Sequence, residues 1–153
     1  MIEKQQIYLD RVGQFFAQVN NWIPSEFNRI ETTQWVTDNT GKYEVPVLSM
    51  SIPQPPTPEI DDGAIADLLP EGTSVLMGEG LIKMKGMFGE EWIMYLLKES
   101  VKIRDRFGRE RPMFKGIRTD GWYWIEDTHR NRAHLMNREI FLELVTFVSE
   151  YEF

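Results

Sequence analysis

Leu9, Val12, Phe16, Val19 and Ile23 recur at steps of three and four residues, with Tyr8, Phe15 and Trp22 beside them. A helix gathers such positions on one side, so the spacing predicts an amphipathic helix over residues 3–23, stopped by Pro24. The same period returns near the end of the chain. Ile140, Leu144, Phe147, Val148 and Tyr151 predict a second helix over 138–151. Asn137 is placed to cap it, Glu139 to offset the helix dipole, and Met136 to meet Phe141 as a hydrophobic staple. Val19, Trp22, Leu144 and Phe147 are expected to be largely buried.

Between these segments the period falls to two, the signature of strands. "NRIETTQWVT" and "KYEVPVLSMSI" flank the turn-like "DNTG" and predict a hairpin. Pro46 lacks a backbone donor and demands an edge or a bulge in the second of these strands. "PQPPTPEIDDG" is an extended surface connection, and "GAIADLL" has room for one or two helical turns. "TSVLM", "GLIKMKG", "EWIMYLLKE" and "SVKIRDR" are expected as successive strands. "PMFKGIR" and "GWYWIED" follow as a second hairpin, closed by Asp120-Gly121 in a type I′ turn. That register sets Ile117 against Trp124, Arg118 against Tyr123 and Lys115 against Glu126. The pattern as a whole is α+β: one domain over 1–153, with a largely antiparallel sheet of about five to seven strands and the terminal helices packed on one face.

Composition narrows the class. At 153 residues, 42% apolar and 27% charged, the chain can bury a core and is neither disordered nor membrane-embedded by composition. Its longest apolar run, Trp92 to Leu97, is far too short to span a bilayer. The absence of cysteine excludes disulfides, thiolate metal sites and cysteine nucleophiles. "MIEKQQIYLD" lacks the zones of a signal peptide, so a cytoplasmic location is the default expectation.

Charge is distributed unevenly. The net charge of −7 divides into −8 over residues 1–101, +5 over 102–138 and −4 over 139–153. The basic block begins "KIRDRFGRERP". In a strand, Lys102, Arg104 and Arg106 share a face, while Arg109 and Arg111 flank a turn at Gly108. These five residues, with Trp122, form the candidate partner-binding set. The plain alternative is a solvated sheet face that balances nearby acids.

Catalytic constellations are sparse. His129 and His134 stand five apart, a spacing that suits neither one helical face nor one strand face, so no metal site is expected. Glu59, Asp61 and Asp62 lack the alternating oxygen pattern of a calcium loop. Gly86-Met-Phe-Gly89 has the spacing of a backbone-clamping loop, but Glu90 and Glu91 follow it and repel phosphate, so it is expected as a turn between strands. No cofactor motif is present.

Three functional classes remain. The first is a non-catalytic protein-binding module, of which an immunity or inhibitor protein is a concrete instance. Its acidic residues in 1–101 or in the C-terminal helix suit a basic partner, and its arginines an acidic one. The second is a nucleic-acid binder using residues 102–118, which the overall acidity opposes. The third is an enzyme using Glu126, Asp127 and His129 as acid and base.

Overall fold

The computed structural model describes residues 2–53, 63–75, 78–98, 102–112, 114, 117–127 and 132–153. Helices α1 (Ile2–Trp22) and α2 (Arg138–Ser149) form where the spacing predicts them. Tyr8, Val12, Phe15, Phe16 and Val19 are buried along α1, and Phe141, Leu144, Val145 and Val148 along α2. The last four follow the i, i+3, i+4, i+7 stripe of a core-facing helix. Phe147 falls at the margin of that stripe and is 48% exposed, which corrects the expectation that it is buried. Trp22 is half-buried, with its ring 5.8 Å from that of Phe141.

The helix ends are capped by specific groups. Asn137 Oδ1 accepts the Ile140 N–H at 2.8 Å, and Met136 and Phe141 enter the same core cluster. At the other end Glu150 takes a left-handed φ of 62° and donates its N–H to Thr146 O. α1 has no basic residue in its last turn. Arg29, just beyond it, supplies the missing charge by donating to Ile23 O at 2.9 Å and Asn20 O at 3.3 Å.

Among the described residues nine strands follow α1: β1 Asn28–Asp38, β2 Gly41–Ser51, β3 Ala64–Gly72, β4 Gly80–Gly86, β5 Gly89–Leu96, β6 Lys102–Arg104, β7 Glu110–Pro112, β8 Gly121–Asp127 and β9 Arg132–Leu135. Seven make one antiparallel sheet in the order β1-β2-β3-β4-β5-β8-β9, and β6 and β7 pair separately. β1 and β2 form the predicted hairpin, closed between Asp38 and Gly41. Pro46 lies opposite Thr33 on β1, while β3 pairs only with Leu48–Ser51 of β2. The nitrogen of Pro46 therefore faces a stretch of β2 edge with no ladder to interrupt. Gly86 and Gly89 close the β4–β5 turn as expected.

Other sequence-based expectations are corrected. "AIADLL" belongs to β3 and not to a helix. Residues 73–75 of "TSVLM" are outside any strand, and 76–77 lie outside the described residues. "RAHL" is a strand the sequence pattern did not announce. The hairpin closed by Asp120-Gly121 does not form, because both edges of β8 are occupied by β5 and β9. Trp124 stands opposite Ile93 and His134 rather than Ile117, and Lys115 lies outside the described residues.

Two buried clusters fix the architecture. The larger takes its residues from both helices and from the sheet, with Leu68, Ile82, Met84, Ile93 and Trp122 among the latter. The smaller holds Leu96, Phe114, Tyr123 and Ala133, with Met94, Ile117 and Ile125 against it. Successive strand residues point to opposite faces, so Trp122-Tyr123-Trp124 divides between the two clusters. At the ends of β4, glycines let the helices approach closely. A Cβ on Gly80 would meet the Tyr8 ring at 2.6 Å, and one on Gly86 would collide with the Val148 carbonyl. Tyr8 uses that approach to donate to Leu81 O at 2.7 Å and accept from Gly72 N–H at 3.0 Å, where the β3–β4 register shifts.

Candidate contact surface on the β6–β7 hairpin

Between β5 and β8 in sequence lie β6 and β7, which pair with each other outside the main sheet. The neck of this excursion is closed by Asp120, whose Oδ1 accepts the Lys98 N–H at 2.6 Å. Tyr123 adds a second tie by donating its hydroxyl to Thr119 O at 2.7 Å. Phe114, buried, and Ile117, half-buried, anchor the returning limb in the smaller cluster. Apolar anchors at the foot leave the polar hairpin free of a packing role.

The hairpin tip is organised by one carboxylate. Asp105 Oδ1 accepts the N–H groups of Phe107 at 2.9 Å and Arg109 at 3.0 Å. Its Oδ2 accepts Arg109 Nε at 3.1 Å and Arg111 Nε at 2.9 Å. Gly108 makes the turn with φ of 76°, a conformation that favours glycine. The Arg109 N–H is the largest influence lowering the Asp105 pKa below the usual carboxylate value, opposed by some desolvation and reinforced by Arg111 and Phe107. An Asx-type turn of this kind holds its shape through local bonds alone.

What the tip presents is Phe107, 71% exposed. Arg106 and Arg109 lie over its ring at 5.7 and 5.1 Å. The result is an exposed apolar ring with two guanidinium groups close to it.

The six candidate residues fare differently. Arg104, Arg106, Arg109 and Arg111 are exposed on the hairpin, and Arg104 and Arg106 have no ion pair among the described residues. Arg106 does not share a strand face with Lys102 and Arg104, because β6 ends at Arg104 and Arg106 lies in the turn. Lys102 begins β6 opposite Pro112. Trp122 leaves the set. It is 6% exposed, lies in the larger cluster and donates Nε1–H to Arg11 O at 3.1 Å. Phe107 joins the set instead; the sequence signal for it was a phenylalanine beside a glycine turn within a basic run.

Two other places bear on chemistry. Glu126 lies 2.6 Å from Nε2 of His134, whose ring stacks on Trp124 at 5.4 Å. Trp124 Nε1 donates to Glu91 at 2.9 Å. Asp127 stands opposite Arg132, and His129 lies outside the described residues. No group of three or more metal-ligating side chains occurs among the described residues. No hydroxyl side chain is hydrogen-bonded to the Glu126–His134 pair among the described residues. A cleft of about 310 Å³ lies between α1 and β8, lined by Arg11, Gln14, Tyr95, Asp120 and Trp122 among others. Three of its lining residues make bonds within the protein: Arg11 stacks on Tyr95 at 4.1 Å, Trp122 donates to Arg11 O, and Asp120 accepts the Lys98 N–H. No described helix is long and apolar enough to cross a membrane. No family model, curated protein or solved structure matches this chain.

Proposed function

We propose that the protein is a non-catalytic, cytoplasmic protein-binding module, in the manner of an immunity or inhibitor protein, and that the β6–β7 tip is its principal contact. In this reading both helices cover one face of the sheet, and the excursion carrying the tip is anchored on the other. The observation that carries it is Phe107, exposed beside the guanidinium groups of Arg106 and Arg109 on a turn held by Asp105. Aromatic and arginine side chains dominate binding hot spots, and a turn already in shape pays less ordering entropy on association. The matching partner surface is acidic around a recess that accepts a phenyl ring.

Exposed Arg104 and Arg106 also suit phosphate, so a nucleic acid is the second reading. One experiment separates the two. The tagged protein and its Phe107→Ser variant are used side by side to capture ligands from native lysate, with and without nuclease. The proposal expects a discrete protein, retained after nuclease and lost with Phe107→Ser. Recovery of nucleic acid alone would favour the second reading. A protein retained equally by both baits would remove the tip from the account.

A further inference from the structure

The outer edge of β1 is the longest unpaired edge among the described strands, and it lacks the shortening, proline and bulge that commonly protect such an edge. It runs eleven residues, Asn28–Asp38, with no lysine, no proline and no register shift against β2. The β2–β3, β3–β4 and β8–β9 ladders each contain a shift, and the opposite edge strand, β9, has only four residues. Exposed edges are ordinarily shortened, bulged or charged to prevent pairing with another chain. β1 instead exposes Ile30 to 55% and Trp35 to 61%.

The direction of its free backbone groups follows from Pro46. Thr33 pairs with Pro46, which has no N–H, so this is a non-hydrogen-bonded pair, and Thr33 points its N–H and C=O away from β2. By alternation Arg29, Glu31, Trp35 and Thr37 do the same. This row can accept one more antiparallel strand of matching length and regularity.

We infer that this strand is β1 of a second copy, paired about a two-fold axis through Thr33. Thr33 is the middle residue of β1, so the whole strand overlaps in this register. Arg29 then meets Thr37, Glu31 meets Trp35, Ile30 meets Val36, and Thr33 meets its own equivalent. No like charges stand opposite one another. Moving the axis to Glu31 would oppose two glutamates, and moving it to Trp35 would carry Ile30 past the end of the partner strand. Among the described strands, β1 itself is the only unpaired edge long enough to match. The chain's net charge of −7 does not prevent this, because β1 holds only Arg29, Glu31 and Asp38. Arg29 is bonded to the end of α1, and Asp38 is enclosed by the donors of its own hairpin. The two sheets would join into one.

The test is a charge swap at exposed Thr33. Sedimentation equilibrium of the wild-type chain, from about 10 µM to about 1 mM, should show dimer rising with concentration by mass action. Thr33→Lys and Thr33→Glu each place like charges face to face and should each weaken dimerisation at least about tenfold. An equimolar mixture of the two should restore it. Circular dichroism and urea unfolding of each variant exclude a folding defect; if either variant is unfolded, Trp35→Glu, which sets a second carboxylate opposite Glu31 of the other copy, takes its place and should weaken dimerisation likewise. A wild-type chain that stays monomeric throughout, or variants that dimerise as wild type, would overturn the inference.

Discussion

Two aspartates show how one residue type serves stability in one turn and presentation in another. Asp38, at the β1–β2 turn, accepts from Thr40 N, Thr40 Oγ1, Tyr43 OH, Thr73 N and Thr73 Oγ1. Thr40, Tyr43 and Thr73 are buried, so these bonds tie the hairpin tip to the end of β3. Desolvation works to raise the Asp38 pKa, but the donors on Thr40, Tyr43 and Thr73 outweigh it and hold the carboxyl well below its ordinary value of 3.8. The same contact, with burial first, pushes the Tyr43 phenol up. Asp38→Ala strands several buried donors and should cost about 1–3 kcal/mol in urea unfolding. Because the folded pKa is depressed, this contribution is whole above the unfolded value and disappears as pH falls through the folded one. The gap in stability between wild type and Asp38→Ala should therefore narrow between about pH 5 and about pH 2. A gap that stays constant over that range would show that ionised Asp38 is not the acceptor. Asp105 holds only an exposed tip. Asp105→Ala should speed amide exchange at Phe107 and Arg109 while the global unfolding midpoint stays nearly unchanged. Exchange that speeds up equally across the whole sheet would contradict that local role.

Among the elements, periodic segments were legible and relational ones were not. α1 and α2 were predicted within two residues at each end, because each carries a full apolar stripe and its own stop signals. The β1–β2 hairpin was equally plain from alternation on both sides of a turn. The second hairpin misled because Asp-Gly between alternating runs fits a tight turn, while the deciding facts were distant. Lys98 N takes the Asp120 carboxylate, and "RAHL" fills the free edge of β8. Neither fact is local in sequence. The arginines of the hairpin were visible as a basic run, whereas the part played by Phe107 depended on which strands left the sheet. Phe147 was misplaced by one step around α2. Leu144→Ala, at a fully buried position, should cost about 2–5 kcal/mol. Phe147→Ala should cost about 1 kcal/mol or less, because much of its ring is already in water. Urea titrations giving the reverse order would mean that the buried face of α2 has been misassigned.

At the scale of the whole molecule, the core and the proposed contact occupy different parts of the chain. The larger cluster ties both helices to the sheet, the smaller one anchors the excursion, and the tip stands beyond both. An acidic chain therefore concentrates exposed arginines on an element that contributes little to its core. Reversing Arg109 and Arg111 to Glu should leave the melting temperature nearly unchanged, since exposed ion pairs add little to stability. The same double variant should bind an acidic partner more weakly by at least about tenfold, a loss confined to recognition. The most direct measurement of this division is a calorimetric titration of the captured partner against the wild-type chain and Phe107→Ser, with urea unfolding of both proteins in the same buffer. Affinity should fall at least about tenfold while unfolding free energy changes by less than about 0.5 kcal/mol. Unchanged affinity for a folded Phe107→Ser protein, or a loss of stability as large as the loss of binding, would contradict it.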